Sequence, residues 1–301
     1  MSVDKRVRVI LLMLLNILGL GGATAQLSQQ DVARLTVTPA DHRIAYGPDA
    51  MQFGELRLPK GSGPHPLAVV VHGGCWLAAF ADLQLMAPLS DALTRAGVAT
   101  WNIEFRSVDR PGGGWPNTLV DVGRAIDYAV ELATRYPIDL KRVVIVGHSA
   151  GGHLAQWAAA RHRLPENSAL FSQGALTVSA TIGLAAINDL QRYLKESSTC
   201  GKSIPRLLGG LPGEVPDRYR QASPAEMLPL RVKQVLIIGA QDTIVSPEHN
   251  RLFAEAARKN GDDVELHVVD GAAHFDVIAP NSGAWTTIEA AVLSIVDTVK
   301  K

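Results

Sequence analysis

Residues 142–152 read Arg142-Val143-Val144-Ile145-Val146-Gly147-His148-Ser149-Ala150-Gly151-Gly152, followed by His153-Leu154-Ala155-Gln156-Trp157-Ala158-Ala159-Ala160. The run from Arg142 to Val146 is apolar and β-branched, of strand type, and the run from His153 to Ala160 is of helix type. Gly147-His148-Ser149-Ala150-Gly151 therefore places the pattern G-x-S-x-G at a strand-to-helix turn. In that setting the serine adopts a strained backbone conformation that pushes its hydroxyl clear of the sheet edge. Positions two residues to either side must be small, because strand and helix pass too closely for a Cβ. The helix that begins just after Ser149 also aims its free N–H groups at any negative charge developing there. Without its flanks the pattern is weak in a glycine-rich chain; the flanks give it chemical meaning.

Outward from this turn, apolar runs of strand type alternate with helical patterns, the mark of a parallel sheet with crossover helices. Residues 52–58 alternate and predict an early antiparallel strand. Residues 67–71 are continuously apolar, as in a strand covered on both faces. A helix over 83–96 ends at Gly97, and a strand over 98–103 follows. Asn117 is placed to cap a long helix reaching Tyr136, with Pro137 as a stop signal. Further strands are expected at 180–184, 234–238 and 264–269, with helices over 247–260 and 286–299. Residues 188–230 break the rhythm with Gly, Pro and charge, and predict a small cap insertion over the sheet. The reading is α/β: a mostly parallel central sheet flanked by helices, in one domain over residues 26–301.

The chain has 301 residues, 47% apolar and 19% charged, which is ordinary globular composition. Its net charge is zero, and without residues 1–25, which carry Lys5, Arg6 and Arg8 against Asp4, it is −2. No basic run suggests nucleic acid as a partner. Residues 1–25 are expected to be a signal peptide. Lys5, Arg6 and Arg8 precede an apolar stretch from Val9 to Leu20, and Ala23-Thr24-Ala25 supplies a small-x-small cleavage pattern. Twelve helical residues span about 18 Å, too short for a hydrocarbon core of about 30 Å. No stable membrane span is expected after cleavage, and the protein is expected to be periplasmic or secreted. Oligomeric state is not legible. Export permits a disulfide between Cys75 and Cys200, but 125 positions separate them, and independent roles are the expectation.

A serine hydroxyl needs a base within hydrogen-bond reach, itself oriented by a carboxylate. In a parallel sheet such groups gather beyond the carboxyl ends of strands. That criterion selects His274, in Gly271-Ala272-Ala273-His274-Phe275-Asp276 after the last strand. His148 and His153 are expected to leave the turn in other directions, and His42 and His65 to precede the sheet core. Asp242, following the penultimate strand, is the acid; its bland alternative is a turn or capping aspartate. A developing oxyanion also needs preorganised N–H donors, each worth roughly 3–4 kcal/mol where tested. His72-Gly73-Gly74-Cys75-Trp76 directly follows a strand and offers the N–H groups of Gly74 and Cys75, with Ala150 as the third donor. His72 is expected to hold this loop by hydrogen bonding.

Together these residues resemble the α/β-hydrolase superfamily, whose triad runs in the order Ser…Asp…His. His72-Gly73-Gly74-Cys75-Trp76 and Gly147-His148-Ser149-Ala150-Gly151-Gly152 are similar to the H-G-G-x-W and G-x-S-A-G-G motifs of exported bacterial esterases of the arylformamidase-like and feruloyl-esterase-like group. Glu104-Phe105-Arg106, Trp115-Pro116 and Asp121, then Leu208-Gly209-Gly210 and Ser223-Pro224, resemble further segments of that group. The resemblance implies Ser149, Asp242 and His274 as nucleophile, acid and base of a carboxylic ester hydrolase acting on small-molecule esters through an acyl-enzyme. The same chemistry on an N-formyl aromatic amine (arylformamidase) and a non-catalytic binding protein are the alternatives. No metal or organic cofactor is required. Trp76, Trp115 and Phe275 are the candidates for an aromatic-tolerant substrate pocket.

Overall fold

A computed structural model describes residues 26–196 and 200–298. The expected signal peptide, residues 1–25, lies outside the described residues. The strands are β1 (His42–Ala45), β2 (Phe53–Arg57), β3 (His65–Val71), β4 (Ala99–Ile103), β5 (Ile138–His148), β6 (Ala180–Leu184), β7 (Lys233–Gly239) and β8 (Val264–Val269). They form one sheet in the order β1-β2-β4-β3-β5-β6-β7-β8. β1 and β2 are antiparallel to their neighbours; β4, β3, β5, β6, β7 and β8 run parallel. The carboxyl ends of the parallel strands thus share one rim. β1 was not foreseen from the sequence; it contains His42, and His65 opens β3, so both lie within the sheet.

The strands bury both faces. Leu67, Val69 and Val71 of β3 enter one apolar core, and Ala68 and Val70 enter the other. On the first side lie helices α3 (Asn117–Asp127), α4 (Ala129–Arg135), α5 (Ala150–Ala160) and α9 (Pro247–Lys259), through residues such as Leu119, Leu132, Leu154 and Phe253. On the second lie α2 (Ala87–Arg95) and α10 (Trp285–Thr298), through Leu89, Leu93, Ile288 and Val292. Every residue of α5 is buried, so this helix forms the centre of its layer.

Two expected helices begin or end differently. The stretch from Leu83 opens as a 3₁₀ turn, Leu83–Met86, capped by Asp82, before α2 starts with a proline in its first turn. A proline is favoured there because it lacks the N–H that the first turn cannot use. The long helix divides at Tyr128 into α3 and α4, and Asn117 is its first residue rather than its cap. The Asn117 side chain instead donates to the Gly112 carbonyl at 2.9 Å.

Residues 188–230 connect β6 to β7 through α6 (Leu190–Lys195), α7 (Ile204–Leu208), α8 (Pro216–Ala222) and two 3₁₀ turns. Tyr193 Oη donates to the Ile244 carbonyl at 2.8 Å, and Trp157 Nε1 to the Gln221 carbonyl at 3.0 Å. At the other end of the chain, a short helix α1 (Gln29–Ala33) is stabilised by a Ser28/Asp31 capping box and buries Val32. Among the described residues no helix is long and apolar enough to cross a membrane.

Candidate active site

β5 ends at His148, and α5 begins at Ala150, leaving one residue to reverse the chain. Ser149 does so at φ 55°, ψ −119°, a left-handed conformation costing a non-glycine residue of order 1–3 kcal/mol. The neighbouring glycines make that possible. A Cβ on Gly147 would lie 2.2 Å from the Gly151 carbonyl oxygen, and one on Gly151 would lie 2.3 Å from the carbonyl oxygens of Val71 and His72. The small-residue requirement inferred from sequence is therefore a backbone-to-backbone constraint. Ser149 itself is anchored through its N–H to the Leu184 carbonyl at 2.8 Å.

Asp242 and His274 meet beyond β7 and β8. Asp242 Oδ2 lies 2.7 Å from His274 Nδ1. Its other oxygen accepts from the backbone N–H groups of Ile244 and Val245 at 2.8 and 2.9 Å. Asp242 is thus also the turn aspartate of the bland alternative: one oxygen fixes the loop and leaves the second aimed at the imidazole. With Nδ1 engaged, Nε2 is the nitrogen His274 can offer to a hydroxyl. Asp276 serves the same loop, accepting from Ala273 N–H at 2.9 Å.

Ser149 and His274 line one cavity of about 200 Å³, with Gly74, Cys75, Phe275 and Ile244 among its walls. His148 lines it too, which corrects the expectation that it turns away. Its ring centroid is 4.6 Å from that of His274, and its Nε2–H donates to the His274 carbonyl at 2.9 Å. Burial, reinforced by the neighbouring His274, pushes the His148 pKa well below the ordinary imidazole value. It is a neutral support for the His274 backbone. His153 does leave the cavity, as expected. It accepts from Trp76 Nε1 at 3.1 Å and donates to the Ala222 carbonyl at 2.9 Å.

The loop after β3 carries three successive residues in the left-handed region: Gly74 at φ 91°, Cys75 at 55° and Trp76 at 59°. Gly73 packs so closely that a Cβ there would lie 3.1 Å from the Ser149 Cβ. Among the described residues, the N–H groups of Gly74, Cys75 and Ala150 enter no turn or side-chain hydrogen bond. His72 fixes the base of the loop. Its Nε2 donates to Glu104 Oε1 at 2.9 Å and its Nδ1 to the Gly73 carbonyl at 3.0 Å. Two donating nitrogens require an imidazolium. Burial opposes that charge, but the Glu104 carboxylate outweighs it and raises the His72 pKa. Glu104 was not singled out as a loop anchor; its signal was an acid at the end of a buried strand. Nearby, Arg106 pairs with Asp121 through two hydrogen bonds of 2.7 Å.

Three further expectations change. Cys75 and Cys200 are joined in a disulfide, with Cα atoms 4.8 Å apart, rather than acting independently. The insertion folds back over the rim and brings Cys200 to the same cavity. Trp76 does not line this cavity; it is fully buried in the core and spends its N–H on His153. Trp115 does not line it either, and lies against the core under the guanidinium of Arg218, 5.5 Å from the ring centroid. Of the three proposed aromatic residues only Phe275 reaches it; Phe80, Leu85 and Ile244, which carry no motif, supply other walls. Among the described residues, no group of three or more His, Cys, Asp or Glu side chains is arranged to hold a metal ion.

A mostly parallel sheet with a serine at the central strand-to-helix turn defines an α/β-hydrolase. The BD-FAE family matches residues 55–257, well over half of the chain, and the chain belongs to that family. Esterase LipC of Mycobacterium tuberculosis is 28% identical over 244 residues, covering 78% of this chain and 60% of LipC. The probable isoprenylcysteine alpha-carbonyl methylesterase ICMEL1 of Arabidopsis thaliana is 23% identical over 250 residues, covering 78% of this chain and 50% of the relative. The chain thus spans 50–60% of the length of these curated relatives. Among solved structures, a truncated carbohydrate esterase from gut microbiota superposes with TM-score 0.74 at 20% identity, over 87% of this chain and 98% of the other. Esterase B from Lactobacillus rhamnosis gives 0.76 at 17% identity, over 90% of each chain. At these identities the likeness concerns the fold.

Proposed function

We propose that the protein is a serine hydrolase that cleaves carboxylic esters of small molecules through an acyl-enzyme. The observation that carries this reading is the 2.7 Å Asp242–His274 contact, which leaves Nε2 as the imidazole nitrogen available in the cavity that Ser149 lines. His274 takes the Ser149 proton as the oxygen attacks the ester carbonyl, and the N–H groups of Gly74, Cys75 and Ala150 receive the oxyanion. Protonated His274 then gives its proton to the leaving alcohol, and water attacks the acyl-serine by the reverse route. A buried Asp242 carboxylate holds the imidazole orientation and stabilises the imidazolium that forms. Esterase names among the relatives support ester hydrolysis as the reaction class.

The cavity, about 200 Å³, is below the usual range of roughly 300–1,000 Å³ for small-molecule sites. Short acyl groups are the substrates this favours. We place the enzyme in the periplasm or outside the cell; the leader pattern of residues 1–25 and the Cys75–Cys200 disulfide support that placement.

The test is fluorophosphonate labelling with a nitrophenyl ester series from acetate to decanoate and N-formylkynurenine alongside. Wild-type protein is expected to label and to prefer acetate or butyrate, and Ser149→Ala to lose labelling and at least about 10⁴-fold in turnover. An unlabelled wild-type protein would remove the enzymatic reading. Faster turnover of N-formylkynurenine than of every ester would replace it with formamide hydrolysis.

A further inference from the structure

The first described residues of the chain bond to three segments that border the site. Gln26 donates through its side-chain amide to the Gln241 side chain, next to Asp242. Leu27 N–H donates to Asp276 Oδ1 at 3.4 Å, in the loop of His274. Gln29 Nε2 donates to the carbonyl of Phe80, in the segment that follows the loop of Gly74 and Cys75. The capped α1 and its buried Val32 hold this strap in place. Gln29 itself is only partly buried and lines the cavity that contains Ser149.

A second cavity of about 350 Å³ is also lined by Gln29, with Ala33, Leu35, Val37 and Asp82 among its other walls. The two cavities share Gln29, Phe80 and Leu85. These residues are the partition, and the Gln29–Phe80 hydrogen bond closes it. The direction of the partition follows from the chemistry of the site. The leaving alcohol must lie beside His274, which protonates it, so the acyl chain extends the other way. The Phe80–Leu85 segment is the candidate for that side, because it packs on the loop of Gly74 and Cys75 and walls the same cavity: a Cβ on Gly74 would lie 2.7 Å from the Ala81 Cβ.

We propose that Gln29 is a specificity-determining residue: tied to Phe80, it divides the catalytic cavity from a neighbouring one and sets the longest acyl chain the site accepts. This rests on the ester-hydrolase reading above. Removing its side chain joins the two spaces and gives a long acyl chain a place to go.

The experiment measures kcat/KM on nitrophenyl acetate, butyrate and octanoate for the full chain, for Gln29→Ala, and for Gln29→Ala combined with Ala33→Trp, which refills the second cavity from an exposed position. The octanoate-to-acetate ratio is expected to rise at least threefold in Gln29→Ala and to fall back toward the wild-type ratio in the double variant. A rise of less than threefold overturns the proposal. So does a ratio that Ala33→Trp leaves raised, because the added room would then not be the second cavity. So too does selectivity that changes only along a series of acetate esters of lengthening alcohols. Ser149→Ala runs in parallel: if wild type hydrolyses esters and Ser149→Ala does not, a flat Gln29 result sinks the partition alone. If wild type shows no Ser149-dependent hydrolysis, the ester reading falls first and the partition with it.

Discussion

Two loops wall the cavity that Ser149 lines, and both hold non-glycine residues in the left-handed region, yet they are held by different means. The turn at Ser149 is pinned by immediate packing of backbone on backbone: Gly147 against Gly151, and Gly151 against the end of β3. The loop of Gly74, Cys75 and Trp76 is pinned from far away. His72 reaches Glu104, Trp76 reaches His153, the Val108 N–H donates to the Trp76 carbonyl at 2.8 Å, and Cys75 is bonded to Cys200. The first arrangement is written in a few consecutive residues; the second is assembled from four separate parts of the chain. A locally built turn fails when a single atom is added to it, whereas a remotely held loop fails by degrees as its supports are removed.

That contrast sets the order of expected effects. Gly151→Ala drives a Cβ into two carbonyl oxygens that belong to backbone, and a loss of about 5 kcal/mol or more is expected, read as failure to express in soluble form or a collapsed urea midpoint. Gly283→Ala, with no atom within 4 Å of the new Cβ, is the control and is expected to change stability by less than about 0.5 kcal/mol. Equal effects at the two positions would dissolve the distinction. Glu104→Ala strands a buried imidazolium at the base of the other loop, and a cost of about 4 kcal/mol is expected. Urea unfolding reads that cost, and, if the loop's N–H donors serve the oxyanion as proposed, kcat is expected to fall more than KM changes.

Removing the disulfide comes next. Cys75→Ser with Cys200→Ser frees a crosslink closed over 125 positions, and about 3 kcal/mol of stability is expected to be lost. If thermal unfolding moves but kcat does not, the bond supports the fold and not the loop. The smallest effect is a pH dependence. Burial lowers the His153 pKa to about 4, against about 6.5 in an unfolded chain. The unfolded state therefore takes up the proton first, so stability is full above about pH 6.5 and is lost as pH falls toward 4. Between pH 7 and 5 this amounts to about 2 kcal/mol, visible by calorimetry and flattened in His153→Gln. The His72 charge acts in the opposite sense. With its pKa raised by Glu104, its contribution is present in acid and is lost as pH rises through the folded value. The loop of Gly74–Trp76 thus carries its acid weakness in His153 and its alkaline weakness in His72.

What the sequence disclosed follows the same division. Ser149, Asp242 and His274 each stand just past an apolar strand in a short loop, so a local pattern marked all three, and the structure brings Asp242 onto His274 in a loop beside Ser149's cavity. The central parallel strands were equally legible, because doubly buried strands read as continuous apolar runs; their order in the sheet, β4-β3-β5-β6-β7-β8, was not read from the sequence. The disulfide was not, since no local feature records that residues 75 and 200 come together. Nor was the strap of residues 26–29, whose partners lie as far as 249 positions away. Trp76 and Trp115 misled for the converse reason: a large aromatic residue near a motif is conspicuous in a sequence whether it faces a ligand or the core. His148 misled because adjacency along the chain at a strained turn does not fix the direction of a side chain.

The bond between Cys75 and Cys200 has a mechanical consequence. The helical segment above the rim cannot swing outward while the glycine loop below it stays still, because the two share one covalent link. On the proposed reaction, outward displacement of the segment around Cys200 would carry Cys75, and with it one of the amides offered to the oxyanion, away from Ser149.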